Sequence, residues 1–313
     1  MAFKIVGNDI TKLNTEAIIS TENDHPTVSI ERINMGRRED NVEVFEDTTA
    51  FVNENDKLMK AVVATRNNQK LYLEGDSIPE PVKRYGQQAK VVVSGKRTLE
   101  AATAYKGKKT CILNFASATN PGGGVVHGSS AQEEALCRCS TLYFVLDTDE
   151  LMRDFYQPHR KVGNALYNDD LLYSPEIYAI KSDTSYPKRL LEDQWYKVDV
   201  ITCAAPNLRE RPSNRMNPDG GKETARISEA DLSLLLEKRT RRIFAAAAAG
   251  GNEVLILGAF GCGAFRNPPK VVAKAFHKAF EEYGDCFETV EFAVFHTKYE
   301  TENFKAFQAE FKD

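Results

Sequence analysis

Residues 111–146 read CILNFASATNPGGGVVHGSSAQEEALCRCSTLYFVL. Cys111 to Phe115 is a short apolar run rich in strand formers, and Asn120-Pro121 followed by Gly122, Gly123 and Gly124 cuts it off abruptly. Three consecutive glycines carry no Cβ, so the backbone can press against a guest where a side chain would collide. Phosphate or ribose is the natural guest. Beyond the loop, Leu136, Cys139, Leu142 (or Tyr143) and Leu146 recur at helical spacing, which predicts a helix with one inward face. Ser130 is expected to cap it, with Glu133 three residues on completing a capping box. The first turn then faces the glycine loop with unpaired N–H groups and partial positive charge, which favours anions. Glu133 reads equally as a cap or as a ligand-binding group. Glu134, one position deeper, has no capping role and is the candidate for acid/base chemistry.

Composition narrows the class. The chain has 313 residues, 42% hydrophobic and 27% charged, as expected of a soluble globular protein. No run approaches the roughly 20 apolar residues needed to span a bilayer, and MAFKIVGND lacks the features of a secretion signal, so no membrane association is expected. A cytoplasmic protein is expected, or a nuclear one in a eukaryote. A net charge of −4 argues against strong non-specific nucleic-acid binding. The six cysteines are scattered, and Cys137 and Cys139 stand too close together for a zinc knuckle or redox pair, so they read as reduced core residues. The five histidines show no metal spacing; no metal or cofactor is expected.

Along the chain, residues 1–88 show strand-like runs at Phe3–Val6, Thr27–Ile33 and Val42–Phe45 and a helix near Asp56–Ala64, while 65–88 read as loop or linker. They are taken as an N-terminal accessory region, with the main domain at 89–313. From Ala89 strands and helices alternate: strand 90–93, helix 98–105, strand 110–115, the helix from 131, strands 176–180 and 197–202, a long helix 229–249 capped by Ser228, strand 253–257, a helix after Asn267-Pro268, and strand 289–295. This order predicts an α/β/α three-layer sandwich around a parallel-rich sheet. The run Arg239–Arg242 (RTRR) reads as a solvated helix face.

Two rival motifs fail. A dinucleotide fingerprint needs glycine at position 127, where His127 stands, and a Walker loop would need Lys-Ser/Thr after Gly263, where Ala264-Phe265 stand. What remains is a second glycine loop, Gly258, Gly261 and Gly263, between a strand and a helix. Two phosphate-scale cradles facing one cleft fit a diphosphate. Asn120 can orient a ribose hydroxyl or begin the turn; Asn207 can cap a helix or line the cleft; Phe265 can wall the cleft or plug the core.

The order strand, NPGGG, seven residues, QEE (Gln132, Glu133, Glu134), with VITCAAPN at 200–207 and LGAFGCGAFRNPP at 257–269, resembles the microbial-type poly(ADP-ribose) glycohydrolases of the macrodomain superfamily. The resemblance runs from about residue 90 to the C-terminus; upstream only GNDITKLNTEAIIS, Gly7 to Ser20, echoes a macrodomain opening. It implies a macrodomain-like mixed sheet and hydrolysis of ribose–ribose O-glycosidic bonds in poly(ADP-ribose), with ADP-ribose as product. It further implies that Glu134 is the acid and then the base, and that Glu133 holds ribose hydroxyls. Asn120, Gly122, Gly123, Gly124, Gln132, Asn207, Gly258, Gly261, Cys262, Gly263, Ala264 and Phe265 would bind substrate, with the second loop on the diphosphate and Phe265 against the ribose at the scissile end. Adjacent helical residues splay by about 100°, so Glu133 and Glu134 are not expected to act as a two-carboxylate pair. A helix N-terminus also lowers a carboxyl pKa while a general acid needs it raised, so desolvation must win. The alternatives are a mono-ADP-ribosyl hydrolase acting on a protein or nucleic-acid linkage, with an ADP-ribosylated protein as substrate in the first case, and a non-catalytic ADP-ribose reader, which would not need the QEE carboxylates.

Overall fold

The computed structural model describes residues 30–214 and 218–312. In chain order the elements are α1 (Ile30–Asn53), α2 (Asp56–Asn68), β1 (Lys70–Tyr72), β2 (Lys90–Ser94), α3 (Thr98–Ala102), β3 (Thr110–Phe115), α4 (Gln132–Cys139), α5 (Leu142–Leu146), α6 (Asp149–Leu151), α7 (Gln157–Val162), β4 (Leu171–Ala179), β5 (Tyr196–Cys203), α8 (Glu229–Ala249), β6 (Val254–Leu257), α9 (Pro269–Tyr283), β7 (Thr289–Ala293) and α10 (Glu302–Glu310). The strands form one mixed sheet in the order β1-β4-β5-β3-β6-β7-β2. β4 runs antiparallel to β1 and β5, and the other pairings are parallel.

The three layers follow from period-two alternation in strands apolar on both faces. Cys111, Leu113, Ile201, Leu255 and Leu257 point to a core shared with Leu236 and Phe244 of α8 and Phe276 of α9. Ile112, Val200, Val254 and Ile256 point the other way, to Val52 of α1, Val62 of α2, Leu136 of α4 and Leu142 of α5. The expected α/β/α sandwich is therefore the observed one. Because β3, β6 and β7 run parallel, their carboxyl ends open on the same edge of the sheet, and there the loops can converge.

Several local expectations change. Val42–Phe45 lies inside α1, whose buried residues Asn41, Phe45, Thr48 and Val52 recur at helical spacing within an acidic stretch. Of Thr27–Ile33 only the helical start of α1 is described, while Phe3–Val6 and Gly7–Ser20 lie outside the described residues. Residues 65–88 contribute the edge strand β1, and Arg84 bonds the carbonyls of Gly251, Asn252 and Cys286. The run 239–242 is not a solvated face. Arg239 is 1% exposed, donates to Asp169 Oδ1 at 2.9 Å and to the Ala204 carbonyl at 2.8 Å, and so anchors the end of β5. Ser228 does cap α8, accepting from Asp231 N at 3.1 Å.

α1 packs on the segment that follows β3. Asn41 Nδ2 donates to the Gly128 carbonyl at 3.0 Å, and Thr48 Oγ1 donates to the Arg138 carbonyl at 2.6 Å. A Cβ on Gly128 would lie 2.2 Å from the Arg38 carbonyl oxygen, so the helix and the loop are in backbone contact.

Candidate active site

β3 ends at Phe115, and the chain turns through Ser117, whose Oγ accepts from the amides of Thr119 and Asn120. Gly123 N then bonds the Asn120 carbonyl and Val125 N the Gly122 carbonyl, giving a tight loop that delivers the chain to α4. The cap of α4 is Ala131, with no side-chain capping bond, so the Ser130 capping box does not form. Glu133 turns instead toward the strand: its Oε2 accepts from Ser117 N at 2.7 Å and its Oε1 from Asn114 Nδ2 at 3.1 Å. Glu134 Oε1 accepts from Gly124 N at 2.9 Å, while Glu134 Oε2 is buried without a hydrogen-bond partner.

The two carboxylates take different partners but meet at Gly123. An added Cβ on Gly123 would lie 2.6 Å from Glu134 Oε1 and 3.1 Å from Glu133 Oε2, so both lie against the same backbone. Gly123 also has φ +59°, a left-handed conformation that glycine adopts without strain. Both acids are almost out of water, Glu133 2% and Glu134 8% exposed. Burial pushes the Glu134 carboxyl above its ordinary value and outweighs the Gly124 amide that lowers it. Burial, followed by the charge of Glu134, pushes Glu133 well up as well. The donor pattern distinguishes them: both Glu133 oxygens receive N–H donors, whereas Glu134 has one oxygen free to carry a proton.

Gln132 secures the base of this wall. Its Oε1 accepts from Phe115 N at 2.8 Å, and its Nε2 donates to the Leu113 carbonyl at 2.8 Å and to Thr98 Oγ1 at 3.0 Å. Across the cleft, β6 leads into the second glycine loop, which Asn267 ties down by donating to the carbonyls of Pro206 and Gly261. A Cβ on Gly263 would meet nothing within 4 Å, so this residue faces open space. Between the loops lies a cavity of about 920 Å³, a size that suits a nucleotide-scale guest.

Gly123, Gly124, Gln132, Glu133, Glu134, Gly261, Gly263, Ala264 and Phe265 all line this cavity. Phe265 is half-buried against Tyr167, with ring centroids 6.2 Å apart, and its carbonyl accepts from Leu208 N at 2.9 Å. The other candidates stand behind the wall. Gly122 packs toward Tyr143 and Cys137, Gly258 against the Ala293 carbonyl, and Cys262 bonds the Phe260 carbonyl. Asn120 Oδ1 accepts from Arg160 Nη2 at 2.7 Å, and Asn207 is fully buried among Tyr167, Pro212 and its own loop. Sequence reading missed Asn114 and Ser117, which set Glu133, although a lone asparagine inside an apolar strand was a legible signal. It also missed Lys96, Arg97, Phe295 and Asn303, which extend the cavity toward β2 and β7. Arg97 stacks on the half-exposed Phe295 ring at 4.1 Å.

Two glycine loops over a mixed sheet, with sequestered carboxyls on one wall, define a macrodomain-like protein with a nucleotide-scale cleft. The chain belongs to the microbial-type poly(ADP-ribose) glycohydrolase (PARG) family: the family model "Microbial-type PARG, catalytic domain" matches residues 39–182. Among solved structures, the glycohydrolase of Deinococcus radiodurans in complex with ADP-ribose is 33% identical, with TM-score 0.65 over 80% of this chain and 96% of that one. The Thermomonospora curvata glycohydrolase is 28% identical, with TM-score 0.73 over 88% of this chain and all of that one. The same enzyme bound to the inhibitor ADP-HPD matches at 29% identity and TM-score 0.70 over the same shares. No curated protein matches the sequence.

Proposed function

We propose that the protein hydrolyses ribose–ribose O-glycosidic bonds of poly(ADP-ribose) and releases ADP-ribose. The observation that carries this reading is Glu134: a nearly buried carboxyl with one oxygen fixed by Gly124 N and the other without a partner. Burial keeps it protonated at higher pH than an ordinary carboxyl, which a general acid requires. It donates its proton to the glycosidic oxygen as the C–O bond breaks, with the bond pair leaving on oxygen. Water then adds to the oxocarbenium-like carbon and returns a proton to the Glu134 carboxylate. Glu133 holds ribose hydroxyls, and Phe265 walls the scissile ribose. The open backbone at Gly263 admits the diphosphate, and Phe295 offers a flat apolar face for the base. The family to which the chain belongs, and the solved relatives named for this activity and for ADP-ribose, support the reading. Six free cysteines, five of them buried, suit a reducing compartment, and we place the enzyme in the cytoplasm. Among the described residues no helix is long and apolar enough to cross a membrane.

The test is incubation with purified poly(ADP-ribose) beside a mono-ADP-ribosylated protein, following free ADP-ribose in each. Release from the polymer is expected; release from the conjugate alone would move the activity to protein linkages, and release from neither would leave a binding module.

A further inference from the structure

We propose that Arg209 and Arg266 form a subsite for the diphosphate of the polymer strand that leaves when the glycosidic bond breaks. This rests on the reading of the protein as a polymer hydrolase. The two arginines belong to one feature: Leu208 N bonds the Phe265 carbonyl at 2.9 Å, and each arginine is the next residue along its own segment. They therefore flank the aromatic wall assigned to the scissile ribose. Arg209 lines the cavity and is half-buried, whereas Arg266 is exposed just beyond Phe265.

Their bonding state is unlike that of the arginines packed nearby. Arg160 is committed to the Thr119 carbonyl, Asn120 Oδ1 and Asp219; Arg239 is committed to Asp169 and Ala204. Among the described residues, by contrast, neither the Arg209 nor the Arg266 guanidinium has a hydrogen bond or an ion pair with the protein. A guanidinium free on the rim of a cleft presents paired N–H donors at the geometry of phosphate oxygens. Arg266 holds φ +59°, a left-handed backbone unusual for a residue with a side chain, and strain of this kind gathers at sites where orientation matters. Charge points the same way: residues 207–226 carry five basic side chains against three acidic ones in a protein of net charge −4. The leaving strand begins with an adenosine whose own diphosphate lies one ribose away from the broken bond. Once Phe265 has placed the scissile ribose, that is the first anionic group to emerge beside it. The bound ADP-ribose unit, with its diphosphate between the glycine loops, does not need these two cations.

The experiment compares the double variants R209Q/R266Q and R209K/R266K with the unaltered protein, using purified poly(ADP-ribose) of fixed length for turnover and free ADP-ribose for calorimetry. The glutamine variant is expected to raise polymer KM about tenfold with kcat little changed, while ADP-ribose affinity shifts less than threefold. The slope of log(kcat/KM) against log salt should flatten by about 1.4, since each single-strand phosphate contact contributes about 0.7. The lysine variant should recover most of the salt dependence. An equal loss of ADP-ribose and polymer affinity would assign the arginines to the bound unit and overturn the proposal, as would an unchanged polymer KM and salt slope. If the unaltered protein releases nothing from polymer, the parent reading itself falls, an outcome separate from an active enzyme indifferent to R209Q/R266Q.

Discussion

The two glycine-rich loops look alike in sequence and differ at one glycine. In the first, at residues 122–128, the missing side chains make room for the protein itself: the Glu133 and Glu134 carboxylates lie against Gly123, and the Arg38 backbone lies against Gly128. In the second, Gly258 and Gly261 pack in the same way against the Ala293 carbonyl and Ala205, but Gly263 faces only open space. At Gly123 the missing side chain makes room for the two carboxylates; at Gly263 it leaves open space beside the cavity.

That contrast can be broken in order of effect. Glu134→Gln keeps the shape of the first loop's wall but can no longer donate and recover the proton, so turnover should fall by roughly 10²- to 10⁴-fold with ADP-ribose still bound. Near-normal release of ADP-ribose by this variant would remove Glu134 from the acid role. Gly123→Ala should cost about 10²-fold in turnover, because a methyl 2.6 Å from Glu134 Oε1 displaces the acid, together with ~1–2 kcal/mol of stability from its left-handed backbone. Steady-state rates with a denaturant titration measure both losses. Gly263→Val should do the reverse, leaving the denaturation midpoint unchanged and weakening ADP-ribose about tenfold, roughly 1.4 kcal/mol. Calorimetry giving unaltered affinity in the folded variant would take the second loop out of the site. Phe265→Ala should lower kcat by about tenfold and affinity by about threefold, since the ring orients the reacting ribose more than it holds the ligand. A loss of folding without a ligand-specific effect would make Phe265 a core plug.

The smallest effect concerns pH. Glu134 has a folded pKa above its ordinary 4.5, so between the two values the folded state binds more protons than the unfolded one. Its contribution to stability is full below the ordinary value and is lost as pH rises through the folded one. Glu134→Gln escapes that loss, and its melting temperature relative to the unaltered protein should climb as pH rises above the ordinary carboxyl value of 4.5. A difference that is flat with pH would mean the carboxyl is not perturbed.

What was legible in the sequence was what depends on local periodicity. The run Cys111–Phe115, the glycines after it and the leucine spacing of α8 specify strand, turn and helix without outside help, whereas the single helix expected through Leu146 breaks at Ser140, which bridges Ala179, into α4 and α5. The capping box at Ser130 failed because a non-local partner won: Ser117 N and Asn114 Nδ2 hold Glu133 more effectively than its own helix end can. The same competition put Arg239 inside, since Asp169 and the Ala204 carbonyl offer its charge a complete set of partners that spacing along α8 could not reveal. α1 was hidden because its inward positions are interrupted by Glu43, Glu46 and Asp47, so that VEVF reads as alternation when the helical stripe passes through Phe45 and Val52.

The contact of Arg38 with Gly128 makes the acid-bearing loop a joint product of two stretches of chain. The side-chain bond from Asn41 to Gly128 crosses 87 residues of sequence, and the bond from Thr48 to Arg138 crosses 90. Anyone grafting the NPGGG-to-QEE segment onto another α/β/α scaffold would therefore transplant a loop without its brace. The portable unit is the segment with α1 laid across it, and a family likeness confined to the glycine and glutamate motifs describes only half of what holds the acid in place.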